Sequence, residues 1–359
     1  EVCPPEQAPT VAVGIAASTA AAGRPGLTVS CLVPLVWPAE SDFMDAISGT
    51  YGPDCDELRF FVACDGEREL ARRPHNAVDL RARYPWVPPD RPEFHHASAA
   101  MPANTSGNTI VKLLHMLRWA AEDRRERLRR AQAGDRTAVP AWYCRLERDT
   151  YFIPENFRLL VALNNLTADA PHYLGAREFF EVARFGIVFN DGGPGVCLSG
   201  AALELLLPVV ASAPSLPEGM YPDYETCALA VGHREDLMLA TCLRQAGVLA
   251  GGETTDACGR EWFGIRPLRA TSGLQPPGLR RQARGKEAGQ AWNYWEGRAH
   301  LYMRCTCQNA FWVVDTPCSF NSFKDAAMFY DAHMVLQLPL EHQRAELGGF
   351  AAAVGGVHF

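Results

Sequence analysis

The stretch from Ala141 to Tyr151 constrains the fold more than any other part of the chain. Ala141-Trp142-Tyr143-Cys144-Arg145-Leu146 is an apolar, β-prone run that ends in two acids spaced by one residue, Glu147 and Asp149. A helical segment follows from Pro154. The pattern predicts a strand that delivers two carboxylates to its carboxyl end, where open α/β sheets bind their ligands. Two carboxylates one residue apart on an extended turn can hold a divalent ion and the phosphate oxygens it bridges. The plainer reading is an acidic strand end that makes surface ion pairs.

Strand and helix patterns alternate over one continuous span. Residues 27–36 read as a buried strand, 41–47 as a helix and 58–63 as a second strand. Residues 65–100, rich in charge and proline, read as a long irregular excursion. A helix is predicted over 108–133, amphipathic in its first half through Ile110, Leu113, Leu114 and Leu117. Its second half, Arg124 to Arg130, suits a solvated face better than a phosphate grip. After a helix over 154–163 come a strand around Tyr173, the glycine turn Asn190-Asp191-Gly192-Gly193-Pro194-Gly195, a strand over 196–198 and a helix over 201–207. A helix starts near Glu235, and 248–250 reads as a strand. Residues 264–290 form an Arg/Gly/Pro-rich loop, followed by the aromatic cluster Trp292-Asn293-Tyr294-Trp295, a strand over 310–314 and a helix over 320–335. This is an α/β pattern: a stem over 1–26, one domain over 27–340 with insertions at 65–100 and 264–290, and a tail over 341–359.

A net charge of −7 argues against an electrostatic nucleic-acid binder. Twelve cysteines are many for a cytosolic enzyme, and their spacing makes no paired C-x-x-C zinc sites. With sequons at Asn104 and Asn165, they point to an oxidising, secretory-pathway lumen. No stretch reaches the ~18–20 apolar residues of a spanning helix. The chain starts at Glu1 and not at Met, so any membrane anchor is expected upstream of this sequence.

Several separated motifs, in this order, resemble the inverting β1,3-glycosyltransferases that include Fringe, and most of all the core-1 β1,3-galactosyltransferases. Gly49-Thr50-Tyr51-Gly52-Pro53-Asp54-Cys55 is similar to the family's A-T-W-x-x-x-C, and residues 142–151 to its W-[FY]-L-K-A-D-D-D-T-Y. Residues 191–203 are similar to S-G-G-A-G-Y-V-L-S-x-x-A-L. Glu235-Asp236-Leu237 with Leu239 and Cys242 resembles E-D-L-x-L-x-x-C. Residues 256–263 resemble D-T-I-G-K-E-T-F, and Trp292-Asn293-Tyr294 matches W-N-Y. The likeness runs from about Cys31 to about His333, and its force lies in collinearity.

The resemblance implies a GT-A fold, a Rossmann-like nucleotide-sugar domain in which Mn²⁺ bridges the UDP diphosphate. It implies Asp236 as the catalytic base and Asp149 and Glu147 as metal ligands. Thr50, Tyr51, Glu147, Arg148, Asp149, Gly192 and Gly193 would contact the donor; Trp292, Tyr294, Glu235 and Trp262 would contact the acceptor. The family pattern suggests disulfides Cys31–Cys55 and Cys227–Cys242, and a homodimer is possible. The expected activity is transfer of galactose from a UDP-sugar to an O-GalNAc-type glycan on a glycoprotein, in the Golgi or ER lumen. Two departures stand out. The middle acid of the family triplet is Arg148, and the family's metal-ligating His falls on Trp312; His300 and His333 lie elsewhere. These departures keep two alternatives open: a catalytically inactive relative acting as a chaperone or binding partner, and an active transferase with another donor or acceptor.

Overall fold

The structure is a computed structural model that describes residues 27–64, 74, 76–84, 86–87, 109–182, 185–217, 220, 222–230, 234–254, 262–264 and 319–320. In chain order the elements begin with β1 (Val29–Pro34), α1 (Ser41–Gly49), β2 (Glu57–Val62), β3 (Ala77–Asp79) and the short α2 (Leu80–Arg83). The long α3 (Thr109–Gln132), β4 (Trp142–Arg145), β5 (Tyr151–Phe152), α4 (Pro154–Leu163), β6 (Tyr173–Val182) and β7 (Phe185–Ser199) follow. Then come α5 (Gly200–Ala211), α6 (Glu235–Gln245), β8 (Phe263–Gly264) and β9 (Ser319–Phe320).

Six strands form a mixed sheet in the order β3-β2-β1-β4-β7-β6. Its first three pairings are parallel, and β7 runs antiparallel to both β4 and β6. This is a Rossmann-like α/β arrangement, with helices on both faces. Alternation along the central strands explains it. Val29, Cys31 and Val33 of β1, with Trp142 and Cys144 of β4, bury into one cluster against α1 and α4. Leu32 and Tyr143 bury on the other face, against α3, α5 and α6. A second sheet, β5-β9-β8, lies where the chain leaves the acidic strand end.

Three disulfides are present among the described residues. Cys31–Cys55 and Cys227–Cys242 are the pairs the family pattern suggests. Cys144–Cys197, not foreseen, joins directly opposed residues of antiparallel β4 and β7, whose Cα atoms are 4.0 Å apart.

Four expectations need correction. Residues 190–195 are not a turn between strands but part of β7. Asp191 pairs with Ala176 and Val196 with Gly175, so residues 192–195 bulge out of register. Within the excursion over 65–100 lie β3 and α2, too short to carry a periodic signal. Residues 248–250 contribute one isolated bridge, Tyr173 to Ala250, and no strand. Phe320, expected to open a helix, pairs in β9 with Tyr151. The strand over 310–314 and the rest of that helix lie outside the described residues.

The charged half of α3 is solvated only in part: Arg125, Arg129 and Arg130 are exposed, whereas Arg124 and Arg127 are largely covered. Arg127 pairs with Asp123 and Glu57, Arg130 with Glu126, and Arg125 with Glu204.

Candidate functional site

The strand order fixes where a site can form. From β1 the sheet grows through β2 and β3 on one side and through β4 on the other, so the topological switch point lies between β1 and β4. At their carboxyl ends sit the loop over 35–40 and the segment Leu146 to Asp149. Arg148 links these two segments: its guanidinium forms an ion pair with Glu40 and lies 5.5 Å over the Phe43 ring. Glu40 is buried and also accepts a hydrogen bond from Val36 N at 2.8 Å. Burial lowers Arg148 from its ordinary range, with Asp149 opposing the shift. The amine of Lys112, buried in α3, donates to the Leu35 carbonyl below the same loop.

A second junction is built on Arg145. Alternation along β4 turns it to the face of Tyr143, toward α6, and leaves its side chain 4% exposed. Its Nη1 donates to the Gly192 carbonyl at 2.8 Å. Its Nη2 donates to Glu147 and, at 3.0 Å, to Glu235. One guanidinium thus ties together the end of β4, the bulge of β7 and the start of α6. Burial alone would lower the Arg145 pKa, but the two carboxylates raise it above its ordinary value. Burial pushes Glu235 up to about 8; Arg145 opposes this, while Glu147 and Asp236 add to it.

Glycine is required at the bulge by close approach and by backbone shape. A Cβ on Gly192 would meet Arg145 Nη1 at 2.5 Å. Gly195, at φ +89°, would set a Cβ 2.8 Å from Leu146 Cδ2 and 3.1 Å from the Arg145 carbonyl. Asp191 accepts from Gly193 N at 2.8 Å, and the Thr150 hydroxyl donates to the Gly193 carbonyl at 2.5 Å. The glycines therefore pack on the acidic strand end.

Of the expected site residues, Glu147, Arg148, Asp149, Gly192, Gly193, Glu235 and Asp236 come together around these two junctions. Asp149 is buried beside Arg148. Asp236 accepts from Leu237 N at 2.8 Å and lies 3.7 Å from Arg234 Nε, in the first turn of α6, where an acid also complements the helix dipole.

Thr50 and Tyr51, expected to contact the donor, are 3% and 1% exposed. The Thr50 hydroxyl donates to the Ala46 carbonyl, and the Tyr51 ring packs edge-on to Tyr151 and Phe152. Trp262, expected to contact the acceptor, is likewise a core residue of the α1/α4 face. Trp292, Tyr294 and Asn104 lie outside the described residues. Asn165 is exposed at φ 50° just past α4. Its N–H bonds the Ala162 carbonyl and that of Leu166 bonds Val161, a Schellman cap that presents the sequon on the surface.

The residues at this strand end do not fit a divalent cation. Glu147 is held by Arg145, the position between the two acids carries a guanidinium, and no three His, Cys, Asp or Glu side chains among the described residues gather as a metal site. Arg145, Glu40 and Lys112 had no role assigned from sequence. For Arg145 a signal existed: a charge closing an otherwise apolar strand, on the face that alternation buries.

A scan against protein-family models finds no match, and a search of curated proteins finds none either.

Proposed function

We propose that this protein is an inverting glycosyltransferase of the GT-A type that moves a hexose, galactose in the leading form of the reading, from a UDP-sugar in β1,3 linkage to an O-GalNAc-type glycan on a glycoprotein. One observation carries the proposal. Three separated motifs of the resemblance, at 147–149, 192–193 and 235–236, converge on Arg145 beside the switch point of an α/β sheet. In this reading Asp236 takes the proton of the acceptor hydroxyl as its oxygen bonds to the anomeric carbon. The bond from that carbon to the diphosphate breaks, and UDP leaves. Glu235 holds its proton to about pH 8 and so can donate a hydrogen bond to a sugar hydroxyl. Three disulfides suit the oxidising lumen of the secretory pathway, and the Golgi is the compartment where such acceptors are extended.

A second reading, a non-catalytic relative that binds a partner enzyme, is favoured by the pairing of Glu147 and Arg148 with residues of the chain itself. One experiment separates the two. The full chain, secreted from a eukaryotic host, is incubated with an O-GalNAc peptide and a panel of UDP-sugars, and the product is weighed by mass spectrometry. A gain of one hexose, abolished in Asp236→Asn, supports the transferase. No gain with any donor, together with no UDP binding, supports the partner reading.

A further inference from the structure

We propose that the Arg148 guanidinium, and not a divalent cation, neutralises the diphosphate of the nucleotide donor. The inference rests on the transferase reading and names how its donor site meets charge. The first ground is the state of the acids. Freeing Glu147 to bind a cation would take from Arg145, whose side chain is only 4% exposed, one of its two carboxylate partners. Asp149 alone supplies too few oxygens, and no third ligand joins the strand end among the described residues.

The second ground is a fixed positive charge already in place. Arg148 stands at the switch point, between the ends of β1 and β4, and keeps 19% of its side chain exposed. Phe43 lies under the guanidinium, 5.5 Å from ring centroid to Cζ, a cation–π contact that favours this position. Glu40 takes Nη1, and a guanidinium carries five N–H donors in a fork that matches phosphate oxygens. Glu40 thus occupies the place a phosphate oxygen would take, as an internal counter-ion that the donor displaces from Arg148. Val36 N continues to bind Glu40 when Arg148 turns to the ligand.

The pair makes the test directional. A purely structural ion pair predicts that removal of either partner harms the protein in the same sense. A counter-ion that competes with ligand predicts opposite effects on nucleotide binding. The measurement is calorimetric titration of UDP into the full chain, in EDTA and again in MnCl₂, with thermal melting of every variant to verify the fold. UDP should bind in EDTA with an affinity that Mn²⁺ changes by less than about twofold. Arg148→Ala should weaken that binding at least about tenfold, the loss expected of a charge-assisted pair of hydrogen bonds. Arg148→Lys should recover part of it, and Glu40→Gln should leave it unchanged or tighter.

Binding that needs Mn²⁺, or that is equal in wild type and Arg148→Ala, overturns this inference and leaves the nucleotide-sugar reading standing. Loss of binding in Glu40→Gln, with the fold intact, also overturns it, because the pair would then be structural. Absence of UDP binding by the wild type in both buffers overturns the inference and the transferase reading together.

Discussion

Glu147 and Glu235 share one nitrogen, Nη2 of Arg145, although one closes a strand and the other opens a helix. Two carboxylates on one buried cation leave a net negative charge if both ionise. The upward shift of Glu235 to about 8 reflects burial first and the nearby Glu147 and Asp236 charges after it, with Arg145 opposing. At neutral pH one acid of the pair therefore carries the charge and the other the proton.

Removing the shared cation should be costly. Arg145→Met leaves two partly buried carboxyls and the Gly192 carbonyl without their donor. It is expected to destabilise the fold by about 3 kcal/mol, as for other buried pairs broken on one side. Urea denaturation at pH 7 measures this, and Arg145→Lys should fall between the two because a single ammonium nitrogen cannot span the positions that Nη1 and Nη2 reach.

The Glu235 shift gives stability a downward slope between about pH 4.5 and 8. Its folded pKa lies above the ordinary 4.5 and near 8, so the native state binds more protons than the unfolded chain between those values. The contribution is complete below about pH 4.5 and is lost as the pH rises through about 8. Denaturation midpoints compared at pH 5, 7 and 9 should fall at each step in wild type, with the larger part of the fall between pH 5 and 7, and the fall should be smaller in Glu235→Gln.

His115 works in the opposite direction. It is buried in α3, stacked at 4.5 Å on Tyr84, and neither ring nitrogen has a hydrogen-bond partner. Burial, then Arg118, lowers it to about 4, with Glu122 opposing. The folded protein keeps the ring neutral, so this contribution is whole above pH 6.5 and is lost as the pH falls toward 4. The shift corresponds to about 3 kcal/mol at most. Urea midpoints at pH 4.5 and 7 should differ less in His115→Leu than in wild type.

At the bulge, Gly192→Ala should disturb the site more than its size suggests. Its Cβ would press on a guanidinium that is already bonded to three acceptors. A loss of about 1–3 kcal/mol is expected. Gly195→Ala adds left-handed backbone strain of about 1–2 kcal/mol. Thermal melting of both variants checks the order of effects.

Much of this architecture was legible because its elements are long and periodic. The strands around Val29, Leu58 and Trp142, the helix that follows Pro154 and the helix that opens at Glu235 all lie where the patterns predict. The glycine bulge was not, since hairpin turns and bulges draw on the same residues and only strand register separates them. Nor can a motif position tell which way a side chain points. Thr50, Tyr51 and Trp262 sit in matching segments yet pack inward. Arg145 meets Glu235 across 90 positions, a relation that sheet order creates and local sequence does not record. The Cys144–Cys197 pairing became visible only once β7 lay antiparallel beside β4.

That bridge has a topological consequence. It closes a covalent ring from Cys144 to Cys197 that contains Glu147, Arg148, Asp149, all of α4 and the residues Gly192 and Gly193. A single protease cut of the backbone inside the ring would leave both pieces tethered by sulfur. The acidic strand end and the glycine bulge would then stay at the high effective concentration of one molecule, and only a reductant would let them drift apart.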